Sequence, residues 1–194
     1  MAKYNTTLES LKTVFFDKNC EKMNRSTIKG YIGELLVKEK LEGENIGDVR
    51  HLGNQSAYDL EILNRKVRID VKLSLYKSEL NKYKNFKNWG WALKFERNKE
   101  DAVKCTHFVC VAVDEQFEVQ YYYIINAKNI DRFKQTEIKQ FKNVIRGFTV
   151  TKPHMKKNIP VELKDYYNHC QSLIDDKTVI KIRPTQKLSK YLKH

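Results

Sequence analysis

The sequence has little that would direct the chain into a membrane or an oxidising compartment. No stretch approaches the ~18 consecutive apolar residues that a transmembrane helix requires. The first residues, MAKYNTTLESLK, lack the apolar run of a signal peptide. The four cysteines include no CxxC pair, and scattered cysteines of this kind are typical of reduced, mostly buried thiols. We therefore expect a cytoplasmic protein that does not associate with a membrane.

Proline and glycine are also scarce, with 3 and 7 residues respectively in a chain of 194. All the prolines lie beyond residue 152, which marks a change in composition, and there is no internal repeat or low-complexity segment. A hydrophobic content of 41% is enough for one core. We expect a single domain over residues 1–194, with its core over about 26–125 and a helical, basic appendage over about 126–194.

Acidic residues are the minority among the charged residues. The chain has 24 Asp and Glu against 37 Lys and Arg, a formal net charge of +13. This balance favours a polyanionic partner, nucleic acid before a membrane surface, although a lysine-rich proteome would produce the same charge. Two basic clusters, at 77–87 and 181–193, are the expected phosphate contacts, with a solvated charged face as the alternative. The predicted nucleic-acid-binding residues are Lys77, Lys82, Lys84, Lys87, Arg183 and Lys187.

Residues 26–42, STIKGYIGELLVKEKLE, have the pattern of a helix. Ser26 is a suitable N-cap and Gly43 a suitable stop. The apolar residues cover more than one side of the helix, so Glu34 is expected near the core. A surface ion pair between Glu34 and Lys38 is the alternative.

The rest of the chain is rich in predicted strands. Alternating residues on both sides of Asn64-Arg65 predict a hairpin, and apolar runs at 89–95, 106–113 and 118–125 predict three further strands. Weak periodicity favours a helix over 126–143, and a short helix is expected around 161–174. This order predicts an α/β (α+β) fold whose central mixed sheet of four to five strands is flanked by helices.

The hairpin carries an unusual pair of charges. A two-residue type I′ turn at Asn64-Arg65 would place Asp59 opposite Asp70, with their Cβ atoms roughly 5 Å apart. Facing carboxylates repel, unless one is protonated, water screens them, or a cation lies between them. Lys72 lies two residues beyond Asp70 on the same face. A solvent-facing strand of alternating charges is the ordinary alternative.

These residues resemble the PD-(D/E)XK nuclease superfamily, which includes many restriction endonucleases and the archaeal-type Holliday junction resolvases. The matching segments are GYIGELLVKEKL with Glu34, SAYDLEI with Asp59, and VRIDVKLS with Asp70 and Lys72. The resemblance covers residues 26–125 and implies a restriction endonuclease-like core. It departs from the family pattern before Asp59, where Tyr58 stands in place of a proline.

The resemblance implies hydrolysis of phosphodiester bonds in double-stranded DNA, assisted by Mg²⁺, with Mn²⁺ able to substitute and no organic cofactor. Asp59, Asp70 and the backbone carbonyl of Val71 would ligate the metal. Lys72 would hold or polarise the attacking water, and Glu34 would orient water or assist a second metal. The five histidines show no triad-like partners and receive no catalytic role.

Our first functional hypothesis is a sequence-specific type II restriction endonuclease that acts as a homodimer, because a double-strand break needs two active sites. The alternatives are a structure-selective junction resolvase, another repair or homing nuclease, and a non-catalytic nucleic-acid-binding protein. Dependence on a divalent metal separates the last alternative from the nucleases. The shape of the preferred substrate separates the first two.

Overall fold

The structure, a computed structural model, describes residues 7–17, 21–52, 58–77, 86–96, 105–138 and 143–193. Its described part contains the helices α1 (Leu8–Phe16), α2 (Lys22–Glu42) and α3 (Lys164–Asp175). The strands are β1 (Val49–His51), β2 (Leu60–Ile62), β3 (Val67–Leu75), β4 (Trp89–Glu96), β5 (His107–Val113), β6 (Val119–Asn126), β7 (Gln135–Ile138), β8 (Asn143–Val150) and β9 (Val179–Ile182). The predicted α+β class with a mixed central sheet is confirmed.

The central sheet has six described strands in the order β1-β2-β3-β5-β6-β9, one more than the upper expectation. Strands β3 and β5 are parallel, and every other neighbouring pair in this sheet is antiparallel. Parallel neighbours cannot be joined by a tight turn and need a crossover. Strand β4 lies in that crossover and joins β8 and β7 in a second, three-stranded sheet.

Helix α2 lies against the central sheet over β3. It begins at Lys22, with Glu21 rather than Ser26 at the N-cap position, and ends at Gly43 as expected. A Cβ atom at Gly33 would lie 2.8 Å from the Cβ of Leu73, so only glycine lets the helix backbone come this close to the strand. No helix in the described ranges combines the length and the apolar character needed to cross a bilayer.

The two faces of the central sheet pack against different layers, because alternate strand residues point to opposite sides. The first core lies between the sheet and α2 and includes Ile32, Val71 and Val111. The second core lies between the sheet, the second sheet and α3, and includes Trp91, Phe108, Cys110, Tyr123, Phe148 and Cys170.

The C-terminal segment is part of this architecture. Strand β9 supplies an edge of the central sheet, and Leu188 and Leu192 are fully buried in the first core. Glu44, just after α2, accepts hydrogen bonds from the backbone N–H groups of Leu188 and Ser189 at 2.7 and 2.8 Å. The helix expected over 126–143 does not form in the described part: Ala127–Arg132 is a 3₁₀ segment followed by β7.

Candidate active site

The hairpin of β2 and β3 has the predicted register. Leu60 pairs with Ile69, Glu61 with Arg68 and Ile62 with Val67. The turn is longer than predicted: Leu63–Arg65 form a 3₁₀ turn, and Lys66 takes the positive φ, +53°, that was expected of Asn64. The Asn64 side chain instead donates to the carbonyl of Ile46 at 3.0 Å. The register is kept because the longer turn opens one residue on each strand.

Asp59 lies just beyond the last pair of this ladder. Its N–H donates to the carbonyl of Ile69 at 2.9 Å. Its side-chain Oδ2 accepts a hydrogen bond from the backbone N–H of Val71 at 2.7 Å. The side chain thus satisfies a backbone donor of β3 that lies beyond the end of the shorter strand β2. The Asp59 carboxyl is close enough to Asp70 to raise the pKa of Asp70. The two acids therefore meet where the strands part.

Asp70 and Lys72 project from β3 on the side of the second core. The Lys72 ammonium donates to Asp70 Oδ1, and the two side chains are 17% and 30% exposed. Burial, opposed by Lys72 and reinforced by Asp59, raises the pKa of Asp70 to about 6. Burial disfavours the charged form of Lys72, but the Asp70 carboxylate outweighs it and raises the pKa of Lys72. Lys72 is therefore cationic at neutral pH, beside an acid that holds its proton more tightly than usual.

Glu34 reaches the same region from α2. Its side chain is buried, and its Oε2 lies 2.5 Å from His51 Nε2. Lys38 pairs with Glu42 at 2.5 Å, so the surface Glu34–Lys38 pair of the alternative interpretation is replaced by two other pairs. Burial raises the pKa of Glu34, with His51 opposing and the negative charge of Asp59 adding to the increase. Glu34 is thus within electrostatic reach of Asp59.

His51 is the residue of this cluster that sequence reasoning missed. It lies on β1, opposite Leu60, and the N–H of the next residue, Leu52, donates to the carbonyl of Asp59 at 3.0 Å. The ring of Tyr31 stands edge-on to His51, with centroids 6.1 Å apart. Strand β1 has only three residues and shows no periodicity. Recognising it beside β2 is the one signal that would have placed His51 next to Asp59.

The donor set suits a hard cation. Two adjoining carboxylates offer only oxygen ligands, and Mg²⁺ commonly binds proteins through one or two carboxylates while keeping several waters. Across the described ranges, no group of three or more His, Cys, Asp and Glu side chains is placed to hold a metal ion. Any metal here would therefore depend on Asp59 and Asp70, supplemented by main-chain and water oxygens. Val71 as a carbonyl ligand stays a prediction.

The predicted phosphate contacts lie away from this cluster. Lys77 and Lys87 are exposed, and Lys87 pairs with Glu115 at 2.8 Å. Arg183 and Lys187 are exposed after β9, at the far edge of the central sheet. Lys82 and Lys84 lie outside the described residues. The fold brings Glu34, Asp59, Asp70 and Lys72 together, and leaves the described Lys77, Lys87, Arg183 and Lys187 apart from them.

No protein-family model and no curated protein matches the chain. Among solved structures, the bacterial homing endonuclease I-Ssp6803I is similar, with 16% sequence identity. The alignment covers 77% of this chain and 96% of that one, with a TM-score of 0.43. Similarity at this level does not establish a common fold.

Proposed function

We propose that this protein is a metal-dependent endonuclease that hydrolyses DNA. The observation that carries the proposal is the contact of Asp59, Asp70 and Lys72 at the point where β2 and β3 part, with the buried Glu34 beside them. Three clustered carboxyl groups are costly in a protein interior, since like charges raise each other's pKa. The adjoining Asp59 and Asp70 offer a cation two carboxylate ligands, and the net charge of +13 favours a polyanionic substrate.

In this proposal Asp59 and Asp70, with the carbonyl of Val71, hold Mg²⁺, and Mn²⁺ substitutes for it. The bound ion supplies Lewis acidity toward the scissile phosphate. The residues of the chain do the rest. The Lys72 ammonium has three N–H donors, one of which goes to Asp70 within the described structure. The others remain for the attacking water and for negative charge that develops on the phosphate. Glu34, held by His51, orients the water.

The finer proposal is a sequence-specific type II restriction endonuclease. A chain with one such cluster makes one cut at a time, so a double-strand break calls for a homodimer. Branched DNA as the substrate is the second candidate, because the cluster alone does not distinguish linear from branched DNA. Neither candidate requires an organic cofactor.

The test is to incubate unmodified phage and plasmid DNA with the wild-type protein and with Lys72→Ala, in Mg²⁺, in Mn²⁺ and in EDTA. A matched control is Lys128→Ala, which removes an exposed lysine far along the chain from the cluster. We expect the wild-type protein and Lys128→Ala to give discrete fragments with either metal and none in EDTA. We expect Lys72→Ala to give no fragments under any of these conditions. Intact linear DNA would direct the assay to four-way junctions. If junctions were bound but not cut, the catalytic interpretation would be wrong and the protein would be a binding protein.

A further inference from the structure

A cavity of about 210 Å³ opens beside β9, between α3 and the second sheet. Its polar lining includes Lys156, Lys181, Thr149 and Gln171, and no carboxylate is among the described residues that line it. It lies on the same face of the central sheet as Lys72, since Lys72, Cys110, Tyr123 and Lys181 form one row across β3, β5, β6 and β9. Cys110 and Tyr123 are buried, so the second sheet covers the middle of this row.

Two cations line the cavity, and a third acts on one of them. Lys181 projects from β9 with its Nζ 3.8 Å from the centre of the Tyr121 ring. Lys156 donates to Gln171 Oε1 at 3.0 Å. Arg183 follows Lys181 by two residues, and its positive charge acts on Lys181. Within the described ranges, none of these three cations has a carboxylate oxygen within 4 Å.

The absence of a neighbouring carboxylate has a measurable electrostatic consequence. The Lys181 residue is exposed overall, but partial burial of its ammonium lowers its pKa, and the charges of Lys156 and Arg183 lower it further. The Tyr121 ring face offers partial compensation, since a cation over an aromatic ring gains roughly 0.5–1 kcal/mol at an exposed site. A bound anion would offset the remaining repulsion, so the cavity is complementary to negative charge.

We infer that this cavity is a phosphate-binding subsite that takes a backbone phosphate of nucleic acid. Lysine ammonium groups and the Thr149 hydroxyl are suitable donors to phosphate oxygens. The row from Lys72 to Lys181 crosses three strand spacings, roughly 14 Å. The second sheet covers the row between these two positions, so the subsite takes a phosphate separate from the one at Lys72. This inference depends on the proposed function for its ligand.

The first experiment measures DNA binding without cleavage, in EDTA, by the anisotropy of a labelled 30-base-pair duplex over a series of KCl concentrations. The cavity variant is Lys156→Gln/Lys181→Gln. The matched control is Lys66→Gln/Lys128→Gln, which removes the same charge from exposed positions outside the cavity lining. Each lysine–phosphate contact contributes about one unit to the slope of log K against log salt. We expect the slope to fall by 1–2 units in the cavity variant and by clearly less in the control. An equal fall in both variants would overturn the inference, because it would show only an effect of net charge.

The second experiment uses inorganic phosphate, with chloride at equal ionic strength as reference, and follows backbone amide shifts by NMR. We expect shifts around Lys181 and Gln171 that are lost in the cavity variant and kept in the control variant, whose spectra also report folding. Phosphate shifts without a change in DNA slope would mean a small-anion site and would overturn the nucleic-acid assignment. No shifts and an unchanged slope would overturn the subsite entirely. If the wild-type chain bound no DNA, the proposed function would be wrong. If inorganic phosphate caused no amide shifts, the assignment of the cavity as a phosphate site would be wrong independently of that result.

Discussion

Lys72 and Lys181 stand in one cross-strand row, on one face of the central sheet, and their surroundings have opposite charge. Burial disfavours the ammonium form of both lysines. The pKa of Lys72 is nevertheless raised, because Asp70 and Asp59 are close to it. The pKa of Lys181 is lowered by burial first, and the charges of Lys156 and Arg183 lower it further. Burial acts on the pKa of both lysines in the same direction. The two pKa values therefore differ in direction because the charged groups near Lys72 are acidic and those near Lys181 are basic.

The comparison also explains why the surroundings of Lys72 favour a cation and those of Lys181 favour an anion. Around Lys72 the carboxyl groups outnumber the ammonium, and the excess negative charge is relieved by a proton or a cation. Around Lys181 the excess is positive, and an anion relieves it. A nuclease needs both, one to hold its metal and one to hold its substrate.

The largest expected effect separates the two lysines directly. Lys72→Gln should lower the single-turnover rate of DNA cleavage by about 10²–10⁴-fold, the usual contribution of a group that acts on protons at the reacting centre. Lys181→Gln removes at most one phosphate contact and should weaken DNA binding by only a few-fold at moderate salt. Cleavage kinetics and binding isotherms on the two variants measure this. Similar losses of cleavage rate in both would erase the distinction.

Asp70→Asn should make the surroundings of Lys72 more like those of Lys181. The folded protein holds the Asp70 proton more tightly than the unfolded chain does, so its free energy of unfolding falls as pH rises from about 4 to about 6. The shift from 3.8 to about 6 corresponds to about 3 kcal/mol.

The stability of Asp70→Asn relative to wild type should therefore increase by about this amount between pH 4 and pH 7.5. Urea unfolding of both proteins in EDTA tests it, with Asp48→Asn as an exposed-loop control. A difference that does not change with pH would contradict the raised pKa of Asp70.

His51 sharpens the comparison from the helix side, because it holds Glu34, the third carboxyl of the Lys72 cluster. His51→Ala should reduce cleavage by about 10–100-fold, the usual cost of losing a group that orients a functional side chain. His51→Gln, whose amide N–H can reach Glu34, should recover part of the rate. Equal rates for the two variants would reduce His51 to a packing role. Circular dichroism checks that both fold.

Gly33 tests whether the position of α2 matters to the cluster. Gly33→Ala places a Cβ 2.8 Å from Leu73 and should destabilise the fold by about 1–3 kcal/mol, the usual cost of overpacking. Gly30→Ala is the matched control, since its Cβ would meet only Glu34 Oε1 at 4.0 Å. In the control, helix propensity should add up to about 1 kcal/mol. Thermal unfolding of both variants measures the two changes in stability. Equal changes in Gly33→Ala and Gly30→Ala would contradict the close packing of α2 on Leu73.

The smallest expected effect comes from giving Lys181's surroundings a carboxylate. Gln171→Glu changes no volume and places a negative charge beside Lys156, whose Nζ is 3.0 Å from the present amide oxygen. The free energy of unfolding should change by less than about 1 kcal/mol, as for other partly exposed ion pairs. The changes in amide chemical shift on adding inorganic phosphate should be smaller in Gln171→Glu than in the wild-type protein. Stronger phosphate binding by Gln171→Glu would contradict the assignment of the cavity.

The predictable parts of this molecule are local in sequence. The alternation from Leu60 to Lys72 was enough to predict the hairpin register and the clustering of Asp59, Asp70 and Lys72 on one hairpin. The strand at 89–95 was predicted but not its sheet, because an apolar alternating strand fits equally well in either sheet and its partner β8 lies some fifty residues away. The neighbours of His51 and Lys181 were not predictable for a related reason, although Lys181 belongs to the basic cluster predicted at 181–193. These two residues lie on strands of three and four residues, too short to show a period, and their neighbours are set by pairings distant in sequence.

The contacts of the C-terminal segment also constrain the order in which the chain can fold during synthesis. The end of α2 is joined to residues 184–192 by the bonds of Glu44 and Lys40, and Arg65 of the hairpin turn donates to the carbonyl of Ser189 at 2.9 Å. Leu188 and Leu192 complete the first core on which α2 rests. The hairpin can form early during synthesis on the ribosome. The core against which α2 packs is complete only when residue 192 has left the ribosome. Glu34 therefore joins Asp59 and Asp70 late, and a nascent chain should carry the acidic pair before it carries the finished site.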